Sequence, residues 1–230
     1  MPDGAAGIRD DRPLAQRSVI VDPAWAAIDW TVGRAVRTAR YWWIVLGFFC
    51  ATNAWYAVQV HQTKYLIEIG FAPLEAAWAL GLVAAVAIPG QIALGALSDR
   101  IGREPVWAIA CTGFATCFIA LIELQQHPIR PLLYLMVIAQ GLLGYALTSV
   151  MGPIVAEVFE GPRYGSIFGT LTIALVAGGA AGPWITGLIH DLTGSYRLAF
   201  ELGIALCGIS AIAIWRASPR HVRLVPGRTR

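Results

Sequence analysis

Gly95-Ala96-Leu97-Ser98-Asp99-Arg100-Ile101-Gly102-Arg103 is a short charged stretch between two long apolar runs. Residues 74–97 carry one charge, Glu75, at their edge, and residues 105–122 carry none. A connection this short makes the flanking segments antiparallel neighbours. Gly102 permits a turn with φ > 0, and Pro105 suits the first turn of the next helix. Asp99 is placed to accept hydrogen bonds from free N–H groups at that helix start. Arg100 and Arg103 are expected to hold the loop at a headgroup surface, the cytosolic one.

Composition agrees with a membrane setting. Apolar residues make up 57% of the chain and charged residues 13%, against about half and a quarter in soluble domains. The net charge is only +3. No basic helix or aromatic–basic interleaving stands outside the apolar runs, which argues against nucleic acid as a partner. The basic residues are sixteen Arg and one Lys, Lys64, a bias typical of a G+C-rich bacterial genome. Cys50, Cys111, Cys117 and Cys207 all fall inside apolar runs without a CxxC pair. They read as small buried hydrophobes, with no metal site, disulfide framework or cofactor implied. No nucleophile–base set, P-loop or metal-ligand spacing points to an enzyme.

Residues 1–22 are polar and Gly/Pro-rich, lack the apolar core of a signal peptide, and are expected to be disordered. Over 24–39, Trp25, Ile28, Val32, Val36 and Ala39 recur at helical spacing. This predicts an amphipathic helix on the inner membrane surface, the alternative being a cytosolic helix packed on protein. Six apolar spans follow, at 41–60, 74–97, 105–122, 132–156, 166–189 and 198–215, each near the length that crosses a bilayer. The expected fold is an all-α membrane protein with six transmembrane helices and both termini cytosolic. It comprises a tail over 1–40, a bundle over 41–216 and a basic tail over 217–230. With that orientation the inner segments hold fourteen Lys and Arg and the outer loops three, as the positive-inside rule requires.

Within the spans, Gly165/Gly169 and Gly178/Gly182 are spaced for close helix approach. Gly152-Pro153 and Gly182-Pro183 predict kinks in the fourth and fifth spans. Polar residues at membrane depth are candidates for function. They are Asn53, Gln59 and His61 in the first span, Gln91 in the second, Gln140, Tyr145, Thr148 and Ser149 in the fourth, and Thr170 and Thr172 in the fifth. The competing readings are hydroxyls bonded to their own helix, interhelical amide bonds and, for His61, a solvated boundary residue or a proton relay. Glu201 is expected to snorkel to the interface or to pair with Arg197, in preference to acting as a proton site.

The pattern Gly95-x-Leu97-x-Asp99-Arg100-x-Gly102-Arg103 resembles the signature loop of major facilitator superfamily transporters, departing at Glu104, where the family usually has a basic residue. Residues 161–169, 182–187 and 190–200 look like helices eleven and twelve of its monocarboxylate and oxalate/formate transporter branch, and residues 37–43 resemble the entry to helix seven. The resemblance covers about residues 30–216 and only the C-terminal six-helix half of a twelve-helix fold. It implies movement of a small organic solute, with or without a coupling proton, between two six-helix halves. It places Asn53, Gln59, His61, Gln91, Gln140, Tyr145, Thr148 and Thr170 on helices that correspond to seven, eight, ten and eleven. The second half would be a separate chain, a missing N-terminal part or a second copy. One departure weakens the anion reading: residues 76–97 and 166–189 contain no Lys or Arg, where carboxylate carriers usually place a buried cation.

The expected function is half of a secondary active or facilitative transporter working by alternating access in the bacterial inner (plasma) membrane. The alternatives are a truncated or split product inactive alone, or a non-transporting membrane scaffold or sensor.

Overall fold

The computed structural model describes residues 20–225. Two short helices, α1 (Pro23–Ala26) and α2 (Val32–Ala35), precede the first long helix, α3 (Ala39–Glu68). They replace the single amphipathic helix expected over 24–39. The reason is three successive caps: Asp22 accepts from Trp25 N, Thr31 from Arg34 N and Thr38 from Tyr41 N, so the chain restarts three times. The apolar residues of this segment turn onto protein. Trp30 is buried against Phe159 with ring centroids 5.1 Å apart, and Trp25 Nε1 donates to the Val158 carbonyl at 2.7 Å.

α4 (Pro73–Ile101) and α5 (Arg103–Gln126) meet at a single residue. Gly102 has φ +107°, a conformation that only glycine adopts without strain, so the positive-φ turn expected there is made. The loop is shorter than expected because α4 stays helical through Ile101. Asp99 therefore lies in the last turn of α4 and caps nothing in α5, whose start has no side-chain cap.

The fourth crossing is broken. α6 (Arg130–Ile138) passes into a π turn at Ala139–Leu143 and a 3-10 turn at Gly144–Ala146 before α7 (Leu147–Val158). The break falls upstream of Gly152-Pro153, which lies inside α7. The wide turn is clamped between backbones. A Cβ on Gly141 would come within 2.6 Å of the Val83 carbonyl oxygen, and one on Gly113 within 2.6 Å of the Ala139 carbonyl oxygen. A Cβ on Gly90 would overlap the Leu142 carbonyl. Only bare backbone lets α4 and α5 approach the turn this closely. Pro89, which the sequence reading passed over, stands next to Gly90 inside α4.

α8 (Tyr164–Thr193) lies along α3. Its Gly178 and Gly182 face the carbonyls of Phe49 and Asn53, so that pair makes the close contact expected of it. Gly165 and Gly169 face open space and make no such contact. α9 (Arg197–Ala217) flanks α3 on the other side and packs on α5, which in turn holds the fourth crossing. One buried link ties three helices together: Trp107 Nε1 donates to Ser210 Oγ at 3.0 Å, which donates to the Gly47 carbonyl at 2.7 Å. Among the described residues six helices are long and apolar enough to cross a membrane, so the chain is a multi-pass membrane protein.

The first and last described residues lie at one end of the bundle. There Ile20 and Arg223 form an antiparallel bridge, and Val21 N donates to the Val222 carbonyl at 2.9 Å. The large apolar side chains left exposed include Trp78, Ile88 and Ile92 on α4 and Ile173, Val176 and Trp184 on α8.

Candidate functional site

The centre of the bundle carries a chain of polar contacts between α3, α4 and the broken fourth crossing. Gln59 Oε1 accepts from Tyr145 OH at 2.7 Å and from Gln140 Nε2 at 3.3 Å. Gln140 is fully buried in the π turn, and Cys117 Sγ of α5 lies 3.9 Å from its Oε1. Thr148 Oγ1 is 2.7 Å from Gln91 Oε1 and 2.8 Å from the Tyr145 carbonyl, and Ser149 Oγ donates to the Gln91 carbonyl at 2.9 Å. The local fold explains the grouping. The π and 3-10 turns rotate the fourth crossing so that Gln140, Tyr145 and Thr148, which regular helix would spread over more of its circumference, reach α3 and α4 together. Trp55 borders this seam, its ring 4.9 Å from that of Tyr145 and edge-on to it.

Five of the eight candidate binding residues, Gln59, Gln91, Gln140, Tyr145 and Thr148, thus belong to one connected set. The other three do not join it. Asn53 is buried where α3 meets Gly182 of α8. His61 Nε2 stands 3.0 Å from the Pro183 carbonyl and links α3 to α8. Thr170 accepts from Tyr41 OH at 3.0 Å near the end that carries the termini, and Thr172 donates to its own helix at Gly169. Thr170 lines a groove of about 510 Å³ with Tyr41, Trp42 and Phe49. A second groove, about 420 Å³, lies between Trp55 and Tyr56 of α3, Met151 of α7 and Gly179 of α8.

Gln62 was missed. It is fully buried one turn beyond Gln59, and neither of its amide atoms has a hydrogen-bond partner among the described residues. Its position three residues after Gln59 was the available signal.

At the end carrying the termini, the signature stretch forms a charge network. The Arg103 guanidinium reaches Asp99 Oδ1 at 2.7 Å, Glu157 Oε1 at 2.9 Å and Ser98 Oγ. Its side chain is only 11% exposed, so Arg103 turns inward and does not face headgroups as expected, whereas Arg100 is exposed. Glu157 carried no role in the sequence reading, yet it is the partner that draws Arg103 inward. Glu104 is buried too: its Oε1 accepts from Arg220 N at 2.9 Å in the turn after α9. Arg223 pairs with Glu160 and donates to the Ala156 carbonyl at 3.4 Å.

At the opposite end, Glu68 lies 3.6 Å from Lys64 and 3.4 Å from His190. Tyr196 stacks on His190, and burial, with Glu68 nearby, raises its phenol above the ordinary value. Arg197 pairs with Glu201 at 3.0 Å, one of the two arrangements expected for that glutamate.

A six-helix, glycine-packed bundle with an uncharged polar seam across three of its helices defines a class: multi-pass integral membrane proteins. Residues 8–125 and 42–230 match the Major Facilitator Superfamily, and the chain belongs to that family. It is similar to Monocarboxylate transporter 13 of Rattus norvegicus, 28% identical over 61% of this chain and 33% of that protein. It is also similar to Tetracycline resistance protein, class C, of Escherichia coli, 35% identical over 52% of this chain and 28% of that protein. Multidrug resistance protein MdtG of Dickeya zeae is 26% identical over 77% of this chain and 39% of that protein. The chain spans about a third of the length of these curated relatives.

Proposed function

We propose that this chain is one six-helix half of a secondary transporter that moves a small organic solute across the bacterial inner membrane. The Gln59–Tyr145–Gln140 and Thr148–Gln91 seam carries the reading. Polar side chains at this depth are expensive to keep, and these converge from three helices beside open grooves. The substrate-facing residues are Gln59, Gln91, Tyr145 and Thr148, while Gln140 positions Gln59. Asn53 and His61 hold α3 against α8, and Thr170 acts with Tyr41 at the inner end. The termini face the cytosol, which puts fourteen of seventeen basic residues inside. A second six-helix half covers the exposed apolar faces of α4 and α8, and the solute is released alternately to either side as the halves rock. The transporter names of the relatives support this reading.

The test is uptake into proteoliposomes holding this chain with a first-half partner, screened over a panel of radiolabelled organic solutes. Uptake should be saturable and should fall at least tenfold in Gln59→Leu and in Tyr145→Phe. Uptake that survives both substitutions unchanged would remove the seam from the pathway.

A further inference from the structure

We infer that this half holds the uncharged, planar, carbonyl-bearing part of an amphipathic solute, and not a carboxylate. The inference rests on the transport reading and narrows it to a chemical class. The residues that bear on the seam and its groove come from α3, α4, α5, the fourth crossing and α8. Across 41–63, 76–98, 105–122, 131–156 and 164–189 these elements contain no Asp, Glu, Lys or Arg. A carboxylate drawn into this wall would leave water with no counter-charge to meet it, a transfer strongly disfavoured at low dielectric.

The hydrogen-bond valences say what is welcome instead. The amide oxygen of Gln59 is engaged by Tyr145 OH and Gln140 Nε2, and that of Gln91 shares the single Thr148 hydroxyl proton with the Tyr145 carbonyl. What each amide has left is its NH2 group, a neutral donor. Two neutral donors on half-buried side chains match a carbonyl or similar acceptor.

The apolar side is equally specific. Trp55 borders both the seam and the 420 Å³ groove, and Tyr56 and Met151 line the same groove. Indole, phenol and thioether surfaces favour a flat ring. One ligand can therefore place a ring in the groove and its carbonyl-bearing end along the glutamine seam, with Trp55 between them.

The probes are indole-3-carboxamide and indole-3-carboxylate, two solutes alike in shape and different in charge. Binding of each at neutral pH is measured by equilibrium dialysis on the full chain in detergent, for the wild type and for Gln59→Leu, Gln91→Leu and Trp55→Phe. Thermal melting of each variant checks that it folds. The carboxamide should bind saturably and at least tenfold tighter than the carboxylate, and each glutamine variant should weaken it about fivefold or more. Tighter binding of the carboxylate, still lost in Gln59→Leu, would overturn the inference and leave the seam as the transport site. No saturable binding of either probe, or binding indifferent to both glutamines in folded variants, would overturn the inference and the site together.

Discussion

Gly182→Ala and Gly169→Ala make the same chemical change on the same helix and should have opposite effects. A methyl on Gly182 would overlap the Asn53 carbonyl oxygen and lie 3.2 Å from Ala57 N, both main-chain atoms of a 30-residue helix that cannot swing aside. To restore contact distance α8 and α3 must part by about 1 Å, loosening a seam that also includes Gly178. Overpacking of this kind costs about 1–3 kcal/mol, and the better helix propensity of Ala recovers less than about 1 kcal/mol. The net expectation is a loss of about 1–2 kcal/mol. A methyl on Gly169 would meet nothing within 4 Å, so that variant keeps only the propensity gain, at most about 1 kcal/mol. All four cysteines are buried, so a thiol-reactive fluorophore reports unfolding in detergent as temperature rises. Gly182→Ala should melt several degrees below the wild type and Gly169→Ala at or slightly above it. Equal shifts in the two variants, or an unshifted Gly182→Ala, would refute the account of the α3–α8 contact.

The remaining predictions concern the two ends and the orientation. Arg103→Ala leaves the nearly buried Glu157 without its partner, which should cost roughly 2–4 kcal/mol; the double variant Arg103→Ala/Glu157→Ala should recover part of it in the same melting assay. Glu104→Ala removes the acceptor for Arg220 N, so trypsin should cut after Arg220 and Arg223 several times faster, read by mass spectrometry, while the melting temperature changes little. On intact cells a membrane-impermeant maleimide should label Asp191→Cys and leave Arg100→Cys unlabelled until the membrane is opened; the reverse pattern would invert the topology.

Much of the fold was legible because membrane depth writes itself into composition. The long, nearly uncharged runs predicted six helices, and among the described residues six are long enough to cross, each extended by up to a few turns at ends that the apolar pattern cannot mark. Gly102 was legible because its turn needs a residue free to take positive φ. The failures share one cause. Arg103 was read against a lipid surface and Glu104 only as a departure from a pattern, whereas their partners, Glu157 and the Arg220 backbone, lie 54 and 116 residues further along the chain. The helix break was not legible, because no proline marks it; the backbones packed at Gly90, Gly113 and Gly141 surround it, and they come from other helices. In the candidate site the residue types were readable as polar groups in apolar runs. Their grouping was not, since it depends on the π turn that brings Gln140 and Tyr145 round to Gln59. Gln62 escaped because burial on every side cannot be read from spacing alone.

Six crossings are an even number, and the bridge between Ile20 and Arg223 shows the result: the chain leaves the bundle where it entered. Parity then governs how such bundles combine. A second six-helix unit joined by a short linker at either end must insert with the same polarity, so the two would be related by rotation about an axis along the membrane normal. An odd number of crossings would have inverted the second unit and laid that axis in the membrane plane.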